Sequence, residues 1–367
     1  MKRTLILLIA AAQAAASPGR IITIADRDDR SPIPGASVIS SNGMIIGITD
    51  SEGKIEVNAK DYPLSLGSIG YEALSAPAAG SDTLLMTPCP LTLSEVVVTP
   101  EERPVTRILT YAREYCTGAT PTDTLQLYGE YMLEYFLADG KVKGYSKSHR
   151  NAHELASRHC GRIANASGTD SIMLPTPGDD LSMLSFATYM ASVPQGREEL
   201  TEAMRNGATA DTLPGKYGPK QMFRLANGLF SSKRDILADY KDHSWSPWFF
   251  RLIGMTTELQ EADITYTYRH NESGAHGADD FVCGTYALRL LGKGRLFKKM
   301  MGIDDALDMR CHIEQYPVLT EHLTVREYQE MKKSRKERTE SFRVPAGTPP
   351  PAPAIRALTE RAARASR

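Results

Sequence analysis

Between residues 20 and 98 apolar residues come in short runs, alternate with polar ones, and end each time on turn chemistry. Ile21-Ile22-Thr23-Ile24-Ala25 is followed by Asp28-Asp29-Arg30-Ser31-Pro32, and Ala36-Ser37-Val38-Ile39 by Asn42-Gly43. Gly47-Ile48-Thr49 and Ile55-Glu56-Val57 flank Asp50-Ser51-Glu52-Gly53. Asn-Gly tolerates positive φ at both central positions of a type I′ hairpin turn, so the pattern predicts an all-β sandwich over residues 20–98.

Beyond a polar, proline-bounded linker at residues 99–104 the pattern changes. Val105, Ile108, Leu109, Ala112 and Cys116 fall at helical intervals and predict a helix. Leu125, Leu127, Gly129, Tyr131, Leu133, Tyr135 and Leu137 recur at every second position against Gln126, Glu130 and Glu134. They predict a long half-buried strand that turns at Asp139-Gly140. Helices are expected over Asp180–Met190 and Gly196–Arg205, the second stopped by Asn206-Gly207, and strands over Asp263–Tyr268, Phe281–Leu288 and Asp308–Val318. Thr324 opens a charged final helix, and order is expected to end in the proline-rich stretch Pro345–Pro353. The whole is a multidomain chain: an all-β sandwich, an α+β domain with antiparallel strands over residues 105–340, and a Pro-rich, basic tail over 341–367.

Composition adds a compartment. Lys2 and Arg3 precede an apolar run from Leu5 to Ala12, and Ala14-Ala15-Ala16 supplies small residues for cleavage, so residues 1–16 are expected to be a secretory signal peptide. The apolar run is about half of what spans a bilayer. The formal net charge of −1 and export argue against nucleic acid as a partner. In an oxidising compartment the five cysteines allow one or two disulfides, and their spacing forms neither a CxxC nor a metal site. The pairing and the oligomeric state are left open.

PIPGASV (32–38), GITDSEGKI (47–55) and SIGYE (68–72) together resemble the carboxypeptidase-regulatory-like domain, a seven-stranded, transthyretin-like sandwich, with Gly47, Thr49, Asp50 and Gly53 at the family's turn and Gly70-Tyr71 on a later strand. The resemblance implies a folding and interaction module without peptidase chemistry, found at the front of exported and outer-membrane proteins of the Bacteroides kind. Glu95-Val96-Val97-Val98-Thr99 is similar to the segment that follows this sandwich in TonB-dependent receptors and docks there as an added strand; it also fits a last strand of the sandwich. A receptor barrel needs about twenty strands of about ten residues, a repeat absent from residues 100–367, so a transmembrane barrel is not expected.

Four constellations bear on chemistry. His153-Glu154 and His159 miss the four-residue histidine spacing of a zinc-peptidase helix. Asp26, Asp28, Asp29, Asp50 and Glu52 lack calcium-loop spacing and read as turn carboxylates. Asp279-Asp280 and Asp304-Asp305 are adjacent pairs that cannot face each other across a cleft. The densest aromatic cluster, Tyr240, His243, Trp245 and Trp248 with Phe249 and Phe250, suits either a packing knot around Pro247 or a platform for a glycan or protein partner. No metal and no cofactor is expected. The expected role is a non-enzymatic exported envelope protein, periplasmic or outer-membrane associated, acting as a binding or assembly module. The alternatives are a hydrolase in the second domain, favoured if His243 or His270 meets a carboxylate in a cleft, and an accessory protein docking to a TonB-type partner through residues 95–99.

Overall fold

The computed structural model describes residues 19–78, 80–89, 102–146, 152–165, 167–168, 170–173, 197–215, 218–225, 228–240, 256–271, 273–294 and 305–366. They are mostly β, in antiparallel sheets apart from one parallel strand pair.

Residues 20–86 form two small sheets. Strands β1 (Arg20–Asp26), β2 (Ser37–Ile39), β3 (Ile45–Ile48), β4 (Lys54–Val57), β5 (Leu64–Gly67), β6 (Leu74–Ala76) and β7 (Thr83–Met86) pair in the orders β4-β1-β7 and β3-β2-β5-β6. Ile22, Ile24, Val38, Val57, Leu64, Leu66 and Met86 point from both sheets into one core and are almost entirely buried. Each such side chain contributes about 1.5–3 kcal/mol. The turns follow sequence chemistry with one difference. Gly43 has φ +82° but Asn42 does not have a positive φ, so the hairpin is not type I′; a β-bulge between Val38 and Ile39 accommodates the other geometry. The carboxylates do shape turns, Asp26 Oδ1 accepting from the Asp28 and Asp29 amides and Asp50 Oδ1 from those of Glu52 and Lys54, but Asp26 is fully buried and not solvated.

The rest of the chain centres on one sheet of ten strands. These are β8 (Val105–Ala119), β9 (Asp123–Ala138), β10 (His153–Asn165), β11 (Asp170–Met173), β13 (Ala210–Leu213), β14 (Lys220–Arg224), β15 (Leu229–Asp235), β16 (Thr256–Arg269), β18 (Phe281–Lys293) and β19 (Leu307–Leu323), while β12 (Glu198–Glu199) pairs separately with β17 (Ala275–His276). The order β11-β10-β9-β8-β19-β18-β16-β15-β14-β13 leaves β11 and β13 at the edges. No helix among the described residues is long and apolar enough to cross a membrane.

The stretch expected as a helix at Val105–Cys116 is strand β8. Both of its faces are buried, so apolar residues need no period of two, and the five apolar positions mimic a helical stripe by coincidence. Its Val, Ile, Thr and Tyr content fits a strand. β9 is the expected strand, but it too is buried on both faces rather than half-buried. Of the helix expected over Gly196–Arg205, only α1 (Glu202–Arg205) is helical, capped by Thr201 and stopped at Asn206-Gly207 as expected. Asp180–Met190 lies outside the described residues. Thr324 caps α2 (Val325–Lys333) through a reciprocal pair with Glu327.

Order does not end at the proline run. Pro353 is the first residue of α3 (Pro353–Ala365), whose Ile355, Leu358 and Ala362 are buried against Ile39, Ile45, Tyr115, Tyr128 and Cys160. A proline is well suited to the first helical position, and an alanine-rich sequence with one apolar stripe carries the helix on. Cys116 and Cys311, opposite each other on β8 and β19, form a disulfide; Cys89, Cys160 and Cys283 are free.

Candidate functional site

The ten-stranded sheet has a far face that is apolar and a near face that meets the two small sheets. On the far face Ile108, Ala112, Tyr131, Tyr286, Leu288 and Ile313 belong to one core. The buried amide of Gln315 is fully used there, donating to Thr110 Oγ1 (2.9 Å) and Tyr135 Oη (2.6 Å) and accepting from Tyr286 Oη (3.1 Å).

The near face is different because strand register lines up charges. Arg158, Glu130, Arg113, Glu314, Thr285, Thr265 and Lys233 are successive cross-strand partners from β10 to β15. Arg158 donates to Glu130, and Arg113 to Glu314. Burial works against ionisation of Glu314, but Arg113 and His312 beside it outweigh that and hold the carboxyl well below the usual carboxylate range. Glu130 is treated alike: burial raises it, while hydrogen bonds from Arg158 and Tyr111 lower it further. Burial and the neighbouring Glu314 push Tyr316 well above an ordinary phenol. Glu134, expected to face water, is fully buried and accepts from Arg107 (2.7 Å) and from both terminal nitrogens of Arg338.

The small sheets dock on this face along β3. Its outer edge is satisfied by side chains: Thr117 Oγ1 accepts from the Ile45 amide (3.3 Å) and Arg310 donates to the Ile46 carbonyl (2.5 Å). The Asn42-Gly43 turn is pinned by Gln126, which donates to the Asn42 carbonyl (3.1 Å), and by Tyr115, which donates to that of Gly43. Gly43, at φ +82°, suits glycine, and an added Cβ there would crowd Gln126 Nε2, Ala354 and Tyr115.

Between the docked layers runs a crevice of three adjoining cavities. The first, about 160 Å³, is lined by Arg113, Tyr115, Tyr128, Leu74 and Pro349–Pro353. It shares Gly67, His312 and Glu314 with a narrow middle of about 30 Å³, where Thr265, Thr267, Thr285 and Ser231 supply hydroxyls. Pro34 and Leu225 join that to a third cavity of about 200 Å³ lined by Asp29, Ser31, Phe223 and Arg224. Two residues that line this crevice carry buried nitrogens without hydrogen-bond partners among the described residues, Nδ1 of His312 and Nε of Arg224. His312 Nε2 lies 3.4 Å from Glu314 Oε1.

The residues expected to form a site are not the ones that line this crevice. Tyr240 is an exposed residue in the loop after β15. His243, Trp245 and Trp248 lie outside the described residues, as do Glu95, Val96, Val97, Val98 and Thr99. His270 is exposed and neighbours His276, with ring centres 6.0 Å apart, rather than a carboxylate. His153 and His159 sit on a strand, β10, and the acid pairs explain themselves locally: Asp280 accepts from Asn271 (2.7 Å) and Gly277 (3.1 Å), and Asp279 meets His322 (2.9 Å). Asp304 lies outside the described residues. Besides His322 with Asp279, the histidine that meets a carboxylate inside the crevice is His312. Its signal was present in Cys311-His312-Ile313-Glu314-Gln315-Tyr316, where the alternate residues on one side of a strand are all polar or aromatic.

No protein-family model matches the chain, and no characterised protein matches it in sequence. Among solved structures it is similar to lipovitellin, studied for its lipid–protein interactions, with 9% identity and a TM-score of 0.30 over 61% of this chain and 26% of that one. It is also similar to a protein of Nitrosomonas europaea assigned as AttH, with 9% identity and a TM-score of 0.16 over 62% of this chain and 57% of that one. The chain therefore spans well under two thirds of either.

Proposed function

We propose that this is an exported protein of the cell envelope, periplasmic or outer-membrane associated, that binds an extended polar partner, a glycan or a protein segment, without transforming it. The observation that carries the reading is the crevice: three adjoining cavities in a row, hydroxyl-lined in the middle, with the polar residues Arg113, His312, Glu314 and Arg224 on its lining. The strongly perturbed groups beside it, Arg113 and Glu314, are held in each other's ion pair, which suits positioning more than proton transfer. The expected leader at residues 1–16 supports export. The motifs at 32–38, 47–55 and 68–72 support a carboxypeptidase-regulatory-like, transthyretin-like unit over residues 20–98 acting as an interaction module, ahead of an α+β domain over residues 105–340.

The test is binding of residues 17–367 to immobilised envelope glycans and to a library of envelope-protein peptides, repeated with Thr285→Trp, which fills the narrow middle. A bound species lost in Thr285→Trp and kept in Tyr240→Ala supports the crevice; binding indifferent to Thr285→Trp overturns it. A hydrolase is the second reading, favoured by the 3.4 Å contact of His312 with Glu314 in the crevice. It requires turnover of an ester or glycoside that His312→Ala abolishes.

A further inference from the structure

The crevice is closed at one end by the chain's own C-terminal segment. After α2 the chain crosses the near face: Arg338 binds Glu134, Phe342 lies under Arg158 with 4.5 Å from guanidinium to ring centre, and Pro349 reaches Arg113. Thr348, Pro349, Pro350 and Ala352 each precede a proline, which excludes helix and holds them extended. Ala352, at φ −53° and ψ 150°, is close to polyproline II. In that conformation carbonyls have no internal partners, and here Arg113 Nη1 donates to the Pro349 carbonyl at 2.6 Å. Around this bond Tyr115 and Tyr128 line the same cavity as Pro349–Pro353, and about 160 Å³ stays open beside them. Aromatic-lined grooves with a donor for a proline-run carbonyl are how extended proline-rich segments are recognised.

We propose that this end of the crevice is a site for extended proline-rich peptides, and that residues 348–353 occupy it in cis as a displaceable strap. The proposal deepens the binding reading above, on which it rests, and names one ligand class. The strap has a separate anchor: α3 docks through Ile355, Leu358 and Ala362, and Arg361 binds Asp170 (2.8 Å) at the far end of the helix. On the other side Gly347, at φ +83°, follows the exposed Val344. A tethered occupant of this kind competes at high effective concentration, so an outside peptide gains the groove only when the tether is cut or the anchor loosened.

The experiment inserts a protease site between Val344 and Gly347 of the full chain, folds the protein, cuts it, and adds a fluorescent peptide of residues 345–366. The expected result is that the cut protein exchanges its tail for the peptide while the uncut protein does not. A peptide carrying Pro349→Ala, Pro350→Ala and Pro351→Ala, with the helix untouched, should bind about tenfold more weakly, a loss of about 1.4 kcal/mol. Equal binding of that peptide would assign recognition to the helix alone and overturn the proposal. So would a cut protein that never exchanges, or that unfolds as its tail leaves, because the strap is then a fixed part of the fold. The two ideas fail separately, because tail exchange is read with the 345–366 peptide alone and so stands or falls whether or not the wild-type protein captures an envelope glycan or peptide.

Discussion

The two small sheets and the ten-stranded sheet use acidic residues in opposite ways. In the first, Asp50 shapes a turn at the surface and Asp29 closes another onto Ser31, with water close by. In the second, Glu134 and Glu314 are buried and held by arginines from distant parts of the chain. Exposed turn carboxylates such as Asp50 and Asp29 set local geometry and are cheap to lose. Buried ones fix how strands and the C-terminal segment register, and they are costly to lose because an unpaired charge stays behind.

The contrast can be broken hardest at Glu134. Glu134→Ala should lower unfolding free energy by about 3 kcal/mol in urea titrations, since half-buried Arg338 would lose its carboxylate and buried Arg107 would keep only Glu321. A cost under about 1 kcal/mol would mean that the buried ion pairs matter no more than the turn acids. Next comes the disulfide: Cys116→Ser should cost about 2–4 kcal/mol under oxidising conditions and nothing further under reducing ones. Acid titration separates the regions without mutation. Glu314 and Glu130 are held below the ordinary carboxyl value of 4.5, so their stabilisation is fully present above that pH and fades as pH falls through their lower folded values. Near-ultraviolet tyrosine signals from the large sheet should therefore weaken below about pH 4.5, and Glu314→Gln should flatten that loss. The smallest effect is expected at Asp50→Ala, about 0.5–1.5 kcal/mol from two backbone hydrogen bonds at an exposed turn, measured by thermal melting.

The same contrast explains what was legible in the sequence. Short strands closed by Gly43 and Gly53 announce themselves because turn chemistry is local, and β9 because its alternation is unbroken. β8 hid because burial on both faces removes the need for a period of two, which β9 shows only because one of its buried faces carries the polar Gln126 and Glu134. Glu134 and Glu130 looked like solvent-facing positions because their arginines, Arg338 and Arg158, lie 204 and 28 residues away. The crevice was invisible for the same reason: Arg113, Glu314 and Thr285 become neighbours only through strand order β8-β19-β18, which no local pattern encodes. The proline run did signal a break in helix, but not that the extended segment would find a groove and a donor.

The link between Cys116 and Cys311 has a consequence for how a nicked molecule holds together. The two residues stand 195 positions apart on adjacent central strands, so the chain between them is a closed covalent ring. A protease that cuts once anywhere in residues 117–310 opens the ring without releasing a fragment. Such a molecule should run near full mass on a non-reducing gel and fall into two pieces only when a reductant is added.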